Sequence, residues 1–343
     1  MSKNIITRRR SIYHKVIIVD GLPGCGKTLF SNLVSTIDRV ESMTYAFEIE
    51  YYCALNFLNR MDLDTSESLT KMAVDLKIYE MMMGRNVNFR SSDLSGITNF
   101  HDPERYLKRL SQEGDVAIPD RILEEKPILN LTTHNLLSVS EPIWKSLGED
   151  CIFVEIVRHP LYMFRQKLLS IEALHGNPRH FHVYFDYNGI ELPSYVKGLE
   201  DLYLKSNTTE KVVHFMDQMI SRTNLMRDKI KKYSNVKIIT IPFEKFVLNP
   251  QQEIESIANM ADSKTLENTM IEMKKQRVPR EHVAEGLDID IYKRCGFVPS
   301  IDGLTEREEL NLRRSDVLLN ADNDTIRVMD RITKEYESLY WHV

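Results

Sequence analysis

The segment Gly21-Leu22-Pro23-Gly24-Cys25-Gly26-Lys27-Thr28 is the part of this chain best suited to chemistry. It satisfies G-x-x-x-x-G-K-[ST], a pattern in which glycines let successive backbone N–H groups point into one concavity. A helix starting there adds the positive end of its dipole, and Lys27 adds a cation. Such a nest holds a terminal phosphate or an isosteric oxyanion. The chain has only 13 glycines in 343 residues, and three of them fall between positions 21 and 26. Gly21, Pro23, Gly24, Cys25, Gly26, Lys27, Thr28 and Leu29 are the candidate anion-binding residues. The loop leaves the chemistry open, because nucleotide hydrolases, kinases and sulfuryl-transfer enzymes all use it.

A second anion site is suggested by Arg158-His159-Pro160, which follows the apolar run CIFVEIV. Arg158 stands at the carboxyl edge of a predicted parallel strand, where doubly wound sheets place their ligands. Its planar guanidinium suits a phosphate. Gln166, eight residues later and about two helical turns on, faces the same way as the Arg158 loop.

These groups need a sheet to hold them. Val16–Val19 is a β-branched run of the kind buried on both faces of a parallel sheet, and the glycine cluster and a helix over 28–37 follow it. Pro127–Leu131, Cys151–Val157 and Val236–Ile241 are further strands set between helical stretches, an alternation that predicts a parallel sheet with crossover helices. The stretch 45–83 lacks Gly and Pro and reads as helical, and 84–103 reads as a polar loop or lid. Asn188-Gly189 within Phe181–Leu192 predicts a hairpin. Helices are expected at 208–233 and at 250–261, the second opened by Asn249-Pro250. The segment 305–340 is charged and helical in pattern.

Composition bounds the rest. Lys+Arg 45 against Asp+Glu 50 gives a formal charge of −5, so no global positive field recruits nucleic acid or an anionic membrane. Cys25, Cys53, Cys151 and Cys295 are few and widely spaced, which predicts a reduced, cytoplasmic setting. The apolar run after the basic N-terminal stretch is too short for a secretion signal, and no segment approaches the roughly 18 to 20 apolar residues that span a bilayer. Arg8-Arg9-Arg10 reads as a solvated arm, and Met81-Met82-Met83 as core filling. His175, His180 and His182 lack a carboxylate or cysteine at ligand spacing, so a solvated loop leading into the hairpin is expected there rather than a metal site.

The motifs resemble those of the sulfotransferases that use 3′-phosphoadenosine 5′-phosphosulfate (PAPS). Pro23-Gly24-Cys25-Gly26-Lys27-Thr28 is similar to the family's P-K-S-G-T-T loop, with Gly24 in place of the lysine and Lys27 in place of a threonine. Val157-Arg158-His159-Pro160 is similar to V-R-[DN]-P, with Gln166 where the family has a serine. VKIITI followed by Pro242-Phe243-Glu244-Lys245-Phe246-Val247 and Asn249-Pro250 resembles the strand, Y-E-D-L and D-P segment. The three agree in order and spacing over roughly residues 15–37 and 128–262. The segment from Lys274 to Arg280 suggests the family's later basic loop, which would add Arg277 and Arg280 as phosphate ligands.

The resemblance implies a three-layer α/β P-loop fold with a central, mostly parallel sheet flanked by helices. It would occupy residues 1–302, with acceptor-side insertions at 45–126 and 175–207, and a helical segment 303–343 would pack on it. It also implies a transferase using PAPS and no metal, acting on a hydroxyl or amine of a small-molecule, carbohydrate or lipid acceptor. Sulfuryl transfer needs the acceptor deprotonated as it attacks. Thr132-Thr133-His134 is similar to the family's K-T-H, which makes His134 the candidate base, with Lys27 stabilising charge and Glu48 as the alternative base. The transition state would be loose and in-line, by analogy with phosphoryl transfer. The main rival is a P-loop kinase with Thr28 on Mg²⁺ and Asp120 as the second carboxylate, since Glu155 lies inside a strand. A non-catalytic nucleotide-binding regulator is a third reading.

Overall fold

The computed structural model describes residues 5–93, 95–174, 177–178, 180–283 and 304–341. His175, Cys295 and the expected boundary at 302–303 fall outside them. Five strands, β1 (Lys15–Asp20), β2 (Thr44–Tyr45), β3 (Ile128–Thr132), β4 (Cys151–Val157) and β7 (Lys237–Pro242), form one sheet in the order β2-β3-β1-β4-β7. Every pairing in it is parallel. A separate antiparallel hairpin pairs β5 (Tyr184–Tyr187) with β6 (Ile190–Pro193). Its turn is Asn188-Gly189, both at positive φ, the conformation an Asn-Gly turn supplies.

β1 is the central strand, and its alternation builds both layers. Val16 and Ile18 join a core with Ile49 and Cys53 of α2 (Phe47–Phe57), Val74 and Ile78 of α3 (Leu63–Met83), and Ile143 of a short helix at Glu141–Leu147. Ile17 and Val19 face the opposite core, made by α1 (Lys27–Val34), the helix Pro160–Leu174, the long helix Thr208–Tyr233, and the pair Phe243–Leu248 and Pro250–Met260. The C-terminal helices Glu306–Leu318 and Asn323–Tyr340 add Leu310, Val317, Met329 and Ile332 to that second core. The result is a three-layer α/β P-loop fold with C-terminal helices against one face.

Sequence and structure differ in the second layer. The stretch 45–83 is two helices, because Asn59 takes a left-handed conformation and Asp62 opens the second helix. Thr44–Tyr45 forms an edge strand too short to show a period. The polar stretch 84–103 holds one short helical turn, Ile97–Asn99, and ends where the helix Pro103–Ser111 starts, with Asp102 capping Arg105 N–H. Met81 and Met82 are core residues. Arg8 of the basic arm pairs with Asp75 at 2.9 Å. No described helix is long and apolar enough to cross a membrane.

Candidate functional site

The site grows from the carboxyl ends of β1, β3 and β4, where the chain order reverses on either side of β1. The loop after β1 needs its glycines. Gly26, at φ +98°, faces the Phe243 ring so closely that a Cβ would lie 2.2 Å from a ring carbon. Gly24, at φ +95°, faces the Gln166 side chain, 3.0 Å from its Oε1. Cys25 is buried beneath the loop, and burial pushes its thiol up. Lys27 Nζ curls back and donates to the carbonyls of Gly21 and Leu22, at 2.8 and 3.1 Å. α1 is docked on β3 by polar bonds: Asn130 Nδ2 reaches Ser31 O and Ser35 Oγ at 3.0 and 2.9 Å, and Ser31 and Thr132 hydroxyls lie 2.7 Å apart.

The loop's second neighbour is Arg158. Its Nη1 donates to Gly24 O at 2.8 Å, and its guanidinium lies 4.4 Å from the Phe243 ring centroid. Arg280 sits over the same ring at 5.6 Å. One aromatic ring therefore gathers Gly26, Arg158 and Arg280. Arg158 Nε is buried and makes no hydrogen bond, with Glu244 Oε1 3.9 Å away. A buried guanidinium N–H without an acceptor, beside a cradle that tolerates no Cβ, fits an anionic group of a bound nucleotide. Arg277 is exposed, at positive φ, and its carbonyl accepts from Arg280 Nε.

Glu244 braces this region. Its Oε1 accepts from the His159 N–H at 3.0 Å and its Oε2 from the Tyr336 hydroxyl of the last helix. Burial raises its carboxyl, and Arg158 opposes that rise. His159 is fully buried among Tyr162, Tyr336 and Trp341, and its Nδ1 accepts from Leu161 N–H at 3.3 Å. The imidazole thus takes the capping task that a short polar side chain performs at a helix start. Burial lowers its pKa to about 3.

His134 is carried by the turn after β3. Asp20, the last residue of β1, accepts from the Thr133 hydroxyl and from the N–H groups of Leu136 and Leu137, at 2.8, 2.9 and 2.7 Å. Asn135 N–H bonds to Gly21 O at 3.2 Å, so the turn lies against the first glycine of the anion loop. The carboxylate that reaches His134 is Glu50: its Oε1 lies 3.1 Å from the backbone N and 3.0 Å from Nδ1. Burial raises the Glu50 carboxyl, against the pull of those two donors. The imidazole is stacked against Tyr45 and Phe47, with centroids at 5.8 and 5.5 Å. Glu48 instead pairs with Lys77 Nζ at 2.6 Å.

A cleft of about 630 Å³ opens beside Pro23 and His134. Its walls come from α2 (Glu50, Ala54, Phe57), from the chain around the hairpin (His182, Ser194, Tyr195) and from Lys167, Phe215 and Arg222. His182, expected in a solvated loop, is instead a cleft residue whose pKa burial lowers to about 3. A second cavity of about 720 Å³ lies behind the loop, between β4, the long helix 208–233 and the last helix. Glu155 borders it, bonded to Arg227 and Thr240 at 3.1 and 2.7 Å. Asp120 is exposed on a helix at Ile118–Glu125. Sequence reasoning missed Glu50, Asp20, Phe243 and Lys167. Glu50 carried a signal, being one of two acidic residues in the first turn of a helix, the turn that lies beside His134.

No protein-family model matches the sequence. No curated protein matches it either. Solved structures do. The sulfotransferase STF1 from Mycobacterium tuberculosis H37Rv aligns with a TM-score of 0.40 at 11% identity, covering 82% of this chain and 76% of that one. The sulfotransferase domain of the Synechococcus PCC 7002 olefin synthase aligns with a TM-score of 0.40 at 10% identity, covering 92% of this chain and 98% of that one. Mouse sulfotransferase SULT7A1, solved with PAP, aligns with a TM-score of 0.37 at 14% identity, covering 94% and 89%. Over most of its length the chain is similar in structure to several sulfotransferases.

Proposed function

We infer that this chain transfers a sulfuryl group from PAPS to a hydroxyl or amine of a small acceptor, without a metal. The observation that carries the reading is the pair of guanidiniums, Arg158 and Arg280, on the Phe243 ring against Gly26. It gives the anion loop a second cationic centre outside the loop, which suits a nucleotide with phosphates at two separate ends. A triphosphate would concentrate its charge in the loop alone.

PAPS supplies an activated sulfuryl group with an adenosine bisphosphate as leaving group. The backbone amides of the loop from Gly21 to Thr28 and Lys27 would hold its 5′ end, and Arg158, Gln166 and Arg280 its 3′-phosphate. Lys27 leaves the Gly21 and Leu22 carbonyls to meet charge that develops at the loop. With Nδ1–H donated to a Glu50 carboxylate, His134 keeps a lone pair on Nε2 and takes the acceptor's proton there. Tyr45 and Phe47 fix the plane of the ring, and Glu50 its tilt.

The kinase reading has less support. Asp120 is remote from the sheet ends on an exposed helical face, and Asp20, the carboxylate next to the loop, already accepts three hydrogen bonds. Calorimetry separates the two. Adenosine 3′,5′-bisphosphate is expected to bind more tightly than ADP with no Mg²⁺ present. The reverse order, with Mg²⁺ dependence, would select the kinase.

A further inference from the structure

Lys167 is a buried amine that the fold does not satisfy. Its residue is 6% exposed, and the amine borders the cleft that holds His134. Among the described residues it has no carboxylate within ion-pair distance and no hydrogen-bond acceptor. Its Nζ lies over two ring faces, with the Phe215 centroid at 4.0 Å and the Tyr195 centroid at 5.4 Å. Cation–π contact offsets part of the cost of taking an ammonium out of water, but it leaves the N–H donors unused. Arg109 and Arg227, by contrast, are paired with Glu41 at 2.7 Å and Glu155 at 3.1 Å, and buried Lys27 has two carbonyl acceptors. Lys167 has no such partner, and it stands where the wall opens into the cleft.

The charges around it point the same way. Arg222 lines the same cleft, and Lys27 is near enough for its charge to act on Lys167. Among the described residues the one carboxylate lining the cleft, Glu50, is engaged by His134. His182 is neutral above about pH 3, and burial keeps the Tyr195 phenol protonated. The cleft therefore carries an excess of positive charge among the aromatic walls Phe57, Tyr195 and Phe215.

We propose that Lys167 receives an anionic group of the acceptor, so that the molecule sulfated here is an aromatic hydroxyl compound bearing a carboxylate, sulfonate or phosphate. This rests on the sulfuryl-transfer reading for the word "sulfated" and not for the binding site itself. The ring lies among the aromatic walls, the anion meets Lys167, and the hydroxyl reaches His134 Nε2. Burial, with the Lys27 charge beside it, lowers the Lys167 ammonium to about 7, so an anion also stabilises its charged form.

The test uses two fluorescent probes of like shape that differ in one charge, 8-anilinonaphthalene-1-sulfonate and neutral N-phenyl-1-naphthylamine, titrated into the full chain. The wild type is expected to bind the sulfonate at least about tenfold more tightly, as a buried charged contact allows. Lys167→Met abolishes that preference and leaves the neutral probe unchanged, and Lys167→Arg retains it. In the wild type sulfonate binding weakens as pH rises from 6 to 9, because Lys167 loses its proton, and Lys167→Arg flattens that slope. An equal affinity for both probes in the wild type overturns the proposal. So does a preference that survives in Lys167→Met, and so does loss of PAPS affinity alone in that variant, which would assign the amine to the donor's sulfuryl group. If Lys167→Met does not fold, the pH slope with Lys167→Arg as its control decides. Bisphosphate calorimetry on the same samples reports separately on the sulfuryl-transfer reading.

Discussion

Glu50 Oε1 lies 3.0 Å from His134 Nδ1 and 3.1 Å from the same residue's backbone N, so one carboxylate oxygen holds both the ring and the chain that carries it. This double hold fixes the imidazole before any acceptor arrives. His134→Ala is expected to lower kcat by about 10²- to 10⁴-fold, the range for a positioned base, with bisphosphate affinity unchanged. Glu50→Ala is expected to lower kcat less, leaving the KM for PAPS intact, with partial rescue in Glu50→Gln. Wild-type turnover in His134→Ala would remove it from the mechanism.

Arg158 is the test of the second anion site. If Arg158 holds the 3′-phosphate, Arg158→Ala removes a charged contact worth about 1.5–3 kcal/mol, and bisphosphate binding is expected to weaken about ten- to a hundredfold. ADP, which lacks the 3′-phosphate, is expected to lose little. Calorimetry with both nucleotides reads the difference, and equal losses would place Arg158 in the loop's site instead.

Gly26→Ala is expected to damage both fold and site. The new Cβ meets Phe243 at 2.2 Å, in a left-handed conformation that alanine resists. A stability loss above about 1 kcal/mol follows from the backbone alone. Thermal unfolding reads that loss, and bisphosphate calorimetry reads the displaced ring.

His159 makes the fold acid-sensitive. Its folded-state pKa of about 3 lies below the ordinary value of about 6.5, so the unfolded chain binds the proton more tightly. Its contribution is complete above pH 6.5 and is lost as pH falls from 6.5 toward 3. At pH 5 the loss is of the order of 2 kcal/mol, and His182 adds to it with the same sign. Urea unfolding at pH 7 and pH 5 should show a smaller drop in His159→Asn, which keeps an acceptor for Leu161 N–H.

The parts of this molecule legible in its sequence are those governed by local rules. β4 follows from an apolar run that only Glu155 interrupts, the 208–233 helix from a long helical stretch, and the hairpin from Asn188-Gly189. The anion loop and Arg158 are readable because strand ends and glycines carry position in one dimension. Glu50, Phe243 and Lys167 are not. Each matters through a partner 84, 85 or 48 positions away, His134, Arg158 and Phe215, and no local pattern announces such a meeting. The same reason hid the division of 45–83, where a single Asn59 in a left-handed conformation interrupts an otherwise helical composition.

Phe243 touches the space of Gly26 and carries both Arg158 and Arg280 on its ring. A rigid ring cannot shift toward one of these neighbours without moving away from another. On the proposed reading, the two ends of the nucleotide would meet one hinge-free plate, and filling either end would set the position of the other. Fragments should reveal this as mutual help: adenosine 3′-monophosphate and inorganic sulfate, each weak alone, are expected to bind better together than apart.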